Sequence, residues 1–235
     1  MNKLLKFKQT DDKKHYWVSD THYNHNPNWT IPLHETRGYT NAIEMNADIV
    51  DKINITVRPN DVLWHLGDIA LNCDENQFND FISKIKCQNI YLLWGNHNNP
   101  SAGIYRNEID NWLSYNDEGY NTEKGGTIYV DEIRPEIYPL RYKNVVFMGD
   151  YQEIVVDGQY MVMMHYALNV WNRGMNGAFM VHGHSHGNFK NSLPTELNCG
   201  KILDVSWDVF KKPISFNELC NIMKNKKFVA VDHHS

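Results

Sequence analysis

Four short runs of side chains that can bind metal ions punctuate this chain: Asp20-Thr21-His22, Gly67-Asp68, Gly95-Asn96-His97 and Gly183-His184-Ser185-His186. Each follows an apolar, β-rich segment. Side chains at the carboxyl ends of strands converge where α/β proteins place their chemistry. The runs offer two Asp, one Asn and several His, enough for two metal ions rather than one. In Asp20-Thr21-His22 and in His184-Ser185-His186 the two donors are one residue apart, and in extended backbone such residues share a face. Imidazole suits Zn, Fe, Ni or Cu, and carboxylate shifts preference toward Mn or Mg. A mixed set of this kind names no single metal.

The elements that must carry these runs alternate in type. His15 to Ser19, Val62 to Leu66 and Ile90 to Trp94 read as strands entering the first three runs. Asn41 to Ile53 reads as a helix: Asn41 can cap it, Glu44 sits three residues on, and Ile43, Ala47 and Val50 share one face. Asp74 and Gln77 open a second helix, with Phe78, Phe81, Ile82 and Ile85 on one face. Residues from about 98 to 143 show weak periodicity and read as irregular structure or a cap. Beyond them, Glu153 to Val156 and Tyr160 to Met164 flank Asp157-Gly158, a strong hairpin signal whose second arm runs into His165. Phe179 to His182 and Ile202 to Val205 read as strands. Ser215 to Met223 reads as a closing helix with Phe216, Leu219 and Met223 aligned. Such an order predicts two packed sheets with helices outside. With no repeat and no linker in view, one domain is expected.

Composition limits the partners. A formal charge of -5 over 235 residues argues against a broad nucleic-acid surface. A small anionic substrate remains compatible, because metals supply local positive charge. The cysteines Cys73, Cys87, Cys199 and Cys220 are scattered without a C-x-x-C pair, which reads as free thiols in a reducing compartment. Met1 to Lys14 is basic and polar, unlike a signal peptide. The longest apolar stretch, near Tyr160 to Leu168, falls short of the roughly 20 residues a spanning helix needs. A cytoplasmic protein away from membranes is expected.

In these runs the chain resembles the calcineurin-like metallophosphoesterase superfamily. That family carries D-x-H, G-D, G-N-H-D/E, a lone His and G-H-x-H in that order. Here they read Asp20-Thr21-His22, Gly67-Asp68, Gly95-Asn96-His97-Asn98, His165 and Gly183-His184-Ser185-His186. The resemblance spans about His15 to Asp208. One such motif is weak evidence, and five in order are specific. Asn198-Cys199-Gly200, Trp207-Asp208 and Lys212-Pro213-Ile214-Ser215 resemble the closing strand and helix of small bacterial and phage members.

The resemblance implies an α/β fold of two β-sheets face to face with helices on both outer sides, a four-layer αββα sandwich. It implies that Asp20, His22 and His186 bind a first divalent ion, that Asn96, His165 and His184 bind a second, and that Asp68 bridges them. Manganese is placed first, ahead of Ni, Zn, Fe or Mg. It implies attack on phosphorus by a hydroxide bridging the metals, with His97 as the general acid. One position departs: the family has Asp or Glu where this chain has Asn98. An amide adds no charge to hold the His97 proton, so a preference for good leaving groups is expected. On the substrate side, Arg37 could grip phosphate bidentately, with His25 and Asn98 beside it. Tyr23, Trp29 or Trp171 could stack on a base, and Asn172 and Arg173 could line the other rim. His65 and His182 are expected to point away from the metals, because strand side chains alternate. Asp232-His233-His234 resembles the signature of another phosphoesterase family, but no motif follows it and it reads as chance.

The expected function is therefore a dinuclear metal-dependent phosphoesterase acting on a small phosphodiester or nucleotide, with diesters favoured over monoesters. A nuclease or phosphomonoesterase of the same superfamily is the alternative, and a non-catalytic binding scaffold is a third reading. Extended nucleic acid is not expected as a partner, since the lysine clusters lie toward the termini. The oligomeric state stays open.

Overall fold

A computed structural model of the chain describes residues 4–27, 30–70, 75–97, 128–129, 145–198 and 200–227. The strands are β1 (Leu5–Phe7), β2 (His15–Val18), β3 (Val62–His65), β4 (Asn89–Leu92), β5 (Ile128–Tyr129), β6 (Val145–Phe147), β7 (Tyr151–Val156), β8 (Gln159–Met164), β9 (Phe179–His182), β10 (Ile202–Asp204) and β11 (Ile214–Ser215). The helices are α1 (Leu33–Thr36), α2 (Ala42–Thr56), α3 (Glu75–Lys84), α4 (Trp207–Phe210) and α5 (Phe216–Asn225).

Two mixed sheets result. One runs β11-β2-β3-β4-β6, parallel except for β11. The other runs β10-β9-β8-β7-β1-β5, parallel except for the β7–β8 hairpin. Parallel strands buried on both faces need continuous apolar sequence, and every residue of β3 is buried. Alternation then divides the strand between two cores. Val62, Trp64 and Leu66 pack between the sheets with Leu5, Phe7, Met161, Met163, Phe179 and Val181. Leu63 turns the other way and joins Ile90 and Leu92 under α2 and α3. This is the α/β sandwich the resemblance implies. On the outer face of the six-stranded sheet, Ala167, Leu168 and Trp171 cover Val162, Met180 and Ile202.

Helix α2 begins as its sequence predicts. The Asn41 side chain accepts from the Glu44 amide at 2.9 Å, and the Thr40 amide donates to the Glu44 carboxylate at 2.7 Å. Its buried face differs from the expected one. Ile43 is 80% exposed, while Met45, Ile49 and Ile53 are fully buried. The helix carries two apolar stripes, and the Met-Ile-Ile stripe is the bulkier one offered to Leu63 and Ile90. In α3, Phe78, Phe81, Ile82 and Ile85 are buried as expected, and the expected opening residue Asp74 lies outside the described residues. Helix α5 starts with a reciprocal capping box between Ser215 and Glu218 and buries Phe216, Leu219 and Met223 against the inter-sheet core.

Three strands correct the sequence reading. The polar start contains β1, where Leu5 and Phe7 point inward on either side of half-buried Lys6. It lies inside the six-stranded sheet between β7 and β5. Strand β5 falls within the stretch expected to be irregular and pairs with β1. The rest of that stretch lies outside the described residues, as does the Asp232-His233-His234 tail. Strand β11 is two residues long, too short for a periodicity signal. Among the described residues no helix is long and apolar enough to cross a membrane.

Candidate metal centre

At the ends of β2, β3 and β9 the backbone changes hand. Asp20 (φ 56°), His22 (φ 50°), Asp68 (φ 53°), His184 (φ 66°) and His186 (φ 48°) all adopt the left-handed conformation. Nine non-glycine residues of the described chain do so, and these five are all expected metal ligands. The conformation costs an L-residue roughly 1–2 kcal/mol and concentrates where surrounding structure forces it for function. The donors therefore converge through kinks, not through the shared face of an extended strand. The kinks arise because β2 stops and its following loop bonds to the loop after β3. Asp20 N donates to Gly67 O at 3.1 Å, His22 N to Asp68 O at 3.0 Å and Tyr23 N to Ile69 O at 2.6 Å.

Two glycines let the loops meet. A Cβ on Gly95 would overlap the Asp68 carboxylate and its backbone nitrogen. One on Gly183 would overlap the Ser19 hydroxyl and the Asp20 carboxylate. The backbone amides brought close then hold those acids: His97 N donates to Asp68 Oδ1 and His184 N to Asp20 Oδ2, both at 2.8 Å.

The side chains form two adjoining groups. In the first, Asp20 Oδ1 lies 3.8 Å from His22 Nε2 and 3.6 Å from His186 Nε2. In the second, Asp68 Oδ2 lies 3.4 Å from His165 Nε2. Asn96 Oδ1 is 2.9 Å from both His165 Nε2 and His184 Nδ1. Asp68 Oδ2 also lies 3.7 Å from His22 Nε2, which joins the groups. In each trio, Asp20-His22-His186 and Asp68-His165-His184, the ligand atoms fall within 4.8 Å of one another.

These residues fit divalent ions. Asp20 Oδ1 and both ring nitrogens of His22 are buried without a hydrogen-bond partner. Leaving such groups unsatisfied costs about 1–3 kcal/mol each. Separations of 3.4–3.8 Å are too long for good hydrogen bonds. They approach the spacing of two ligands that each sit about 2.1 Å from one ion. Burial pushes the Asp20 carboxyl up to about 6, only partly offset by His165 and His186. It pushes His22 well below its ordinary value. Burial would raise Asp68 as well, but the facing His165 and His22 hold it down at about 2. Burial works against protonated His165 and His186, yet Asp68 and Asp208 respectively hold them above the usual histidine value.

The other expected residues divide. The His97 ring is half-exposed and lies 5.5 Å from the His22 ring, facing the site. His25 packs edge-on to His22 at 5.5 Å, and its Nδ1 accepts from Leu33 N at 3.1 Å. Asn98 and Trp29 lie outside the described residues. Arg37 is not a free phosphate ligand: its side chain is 1% exposed and bound to Asp208. Tyr23 is buried against Phe81 and bonded to Asp80, so its ring faces no base. Trp171 packs over the six-stranded sheet and bonds to Ala178 O. Asn172 binds Glu153, and Arg173 covers the Tyr160 ring. His65 bonds to Thr21, and His182 to Gly183 O, in the buried interior.

Two site residues escaped the sequence reading. Asp208 Oδ2 lies 2.6 Å from His186 Nδ1. Asp204 is fully buried and accepts from the Ser185 hydroxyl at 2.6 Å and from Gly187 N at 2.8 Å, clamping the loop that carries His184 and His186. The signals were an acid ending β10, Asp204, and one in the first turn of α4, Asp208.

Residues 14–188 match the sequence model of the calcineurin-like phosphoesterases. The chain belongs to that family. This phosphoesterase is 22% identical over 218 residues to an uncharacterized protein of Methanocaldococcus jannaschii, covering 92% of this chain and 95% of the relative. A crystal structure of a protein of unknown function from Aquifex aeolicus superposes with a TM-score of 0.54 at 15% identity, over 89% of this chain and 99% of that one. That likeness concerns the fold. Membership implies metal-dependent hydrolysis of phosphoesters, and the two side-chain groups are candidates for holding divalent metals.

Proposed function

We propose that this phosphoesterase uses two divalent ions to hydrolyse a small phosphodiester or nucleotide. One observation carries the reading: two ligand groups, five of whose residues are left-handed at the ends of β2, β3 and β9, meet at a single carboxylate, Asp68. Asp20, His22 and His186 would hold one ion, Asn96, His165 and His184 the other, with Asp68 between them. When bound, such ions supply an activated water, neutralise phosphate oxygens and align an in-line displacement. The resemblance puts manganese first, while the mixture of carboxylate, imidazole and amide itself names no single metal.

The chain's own residues do the rest. Asp68 keeps both groups in register while its other oxygen fixes the His97 amide. Asn96 contributes an uncharged oxygen, so it adds no repulsion toward an anionic ester. His97 donates a proton to the leaving oxygen, a role that suits imidazole near neutral pH. The net charge of -5 supports a small substrate over an extended nucleic acid. Cys87 and Cys220 are free thiols, in keeping with the cytoplasm.

The test is hydrolysis of bis-p-nitrophenyl phosphate and p-nitrophenyl phosphate by metal-stripped protein refilled with Mn²⁺, Ni²⁺, Zn²⁺ or Mg²⁺, beside Asp68→Ala. Metal-dependent activity that disappears in the variant, faster on the diester, is the expected result. Folded protein that is inactive with every metal would overturn it.

A further inference from the structure

Arg37 spends every donor it has. Its Nε and Nη2 grip the two oxygens of Asp208 at 2.9 and 2.7 Å. Nη2 also donates to Asp20 O at 2.7 Å, and Nη1 to Thr21 O at 2.9 Å and the Met45 sulfur at 3.7 Å. An arginine has five N–H groups in a rigid fork, and five partners account for them. None is left for a phosphate. What the fork does is tie the left-handed loop after β2 to the acid that follows β10, adding a side-chain tie to the backbone bonds Ser19 already makes with Val205 and Trp207.

The second half of the link is His186. Asp208 Oδ2 is 2.6 Å from its Nδ1. A carboxylate held by a guanidinium accepts hydrogen bonds and cannot donate one. The Nδ1 must therefore carry the proton, which leaves Nε2, 3.6 Å from Asp20 Oδ1, as the nitrogen that would share an ion with that acid. The partner of one ring nitrogen decides which nitrogen is free to bind a metal.

The geometry points to Arg37 and Asp208 as a positioning pair that shapes only the first ion site. Arg37 sets the Asp20 backbone, and through Asp208 it sets the tautomer and angle of His186. This rests on the metal reading above. Among the described residues, none of Asn96, His165 and His184 bonds to Arg37 or Asp208, so the pair acts first on one ion and reaches the other only through the shared Asp68. Neither residue touches substrate.

Mn²⁺ titration of metal-stripped protein by calorimetry, followed by electron paramagnetic resonance of the filled protein, tests the inference. Wild type binds two ions and gives the spectrum of a coupled pair. Arg37→Lys and Asp208→Asn weaken one site by about 10–100-fold, the usual cost of losing a ligand's orienting partner. They leave the other within about twofold and give the six-line signal of a lone Mn²⁺. His184→Ala is the control that weakens the second site instead. Folded variants that still fill both sites with wild-type affinity would overturn the inference and leave the proposed function standing. Wild type that binds no ion would overturn that function first. If both variants fail to fold, long-range ¹H–¹⁵N spectra of the Zn²⁺-filled wild type decide. His186 protonated on Nδ1 is the expected tautomer, and protonation on Nε2 refutes the pair.

Discussion

Asp20→Asn should make the metal-free protein more stable while damaging its metal site. Asp20 is fully buried, and its Oδ1 has no hydrogen-bond partner. Burial moves its carboxyl from 3.8 to about 6. At about 1.4 kcal/mol per tenfold, ionising Asp20 in the folded protein costs about 3 kcal/mol. Because the folded value is raised, the stability tied to this group is complete below 3.8 and is lost as pH rises through about 6. An asparagine removes that cost. Its amide oxygen can keep the bond from His184 N, and its NH₂ would face the neutral nitrogens of His22 and His186. Asparagine also tolerates the left-handed backbone that residue 20 requires. Urea unfolding of chelator-treated protein near pH 7.5 should show the variant more stable by up to about 3 kcal/mol. The gap should narrow as pH falls from about 6 toward 3.8. Adding Mn²⁺ should reverse the order, since ligand binding stabilises only the protein that binds it. A metal-free variant no more stable than wild type, or a gap indifferent to pH, would refute the reasoning.

Four other outcomes follow from the same geometry. His97→Ala should keep most of its kcat on bis-p-nitrophenyl phosphate and lose about 10²–10⁴-fold on a dialkyl diester, the range of a general acid; equal losses on both would remove its role. Gly95→Ala drives a methyl into the Asp68 carboxylate and backbone, so thermal unfolding should show about 1–3 kcal/mol of overpacking together with weaker metal binding. Ile49→Ala should cost about 2–5 kcal/mol in chemical denaturation, whereas Ile43→Ala on the exposed side of α2 should stay within about 0.5 kcal/mol. Mn²⁺ affinity at the first site should drop more than tenfold per pH unit below about 6, because Asp20 must lose its proton to bind and so must His186, which Asp208 holds above the usual histidine value; a competition titration with a chelator reads this directly.

The strands that enter the donor runs and the starts of α2 and α5 were legible because each has a local cause. The Asn41 and Ser215 caps, the Asp157-Gly158 turn and the apolar runs before each donor act within a few residues. The buried face of α2 was not local. Both its stripes are apolar, and the choice between them belongs to the sheet beneath. Strand β1 was hidden because three residues beside lysines carry little pattern, and its pairing with β7 spans about 150 residues of sequence. The five donor-rich motifs could be read as a site from their order alone. Arg37 could not be assigned from its type: a phosphate clamp and a buried tie use the same fork, and only its partner, 171 residues away, separates them.

The distribution of cost in the molecule is itself an argument about function. The sheets, the caps and the two cores largely obey local preference, with single unpartnered nitrogens at His65, His182 and Trp207. The conflicts collect at one end of the sheets. Five left-handed residues of the proposed ligand set, a buried carboxylate oxygen without a partner and a histidine with two unsatisfied nitrogens share that end. Each feature costs stability. The neighbouring residues meanwhile enforce the arrangement: glycines let the loops touch, amides grip one oxygen of each acid, and Arg37 fixes the turn that holds Asp20. A fold that constrains a site this firmly while leaving its donor atoms unsatisfied is organised around what those atoms bind. The prediction for Asp20→Asn measures that cost at one residue.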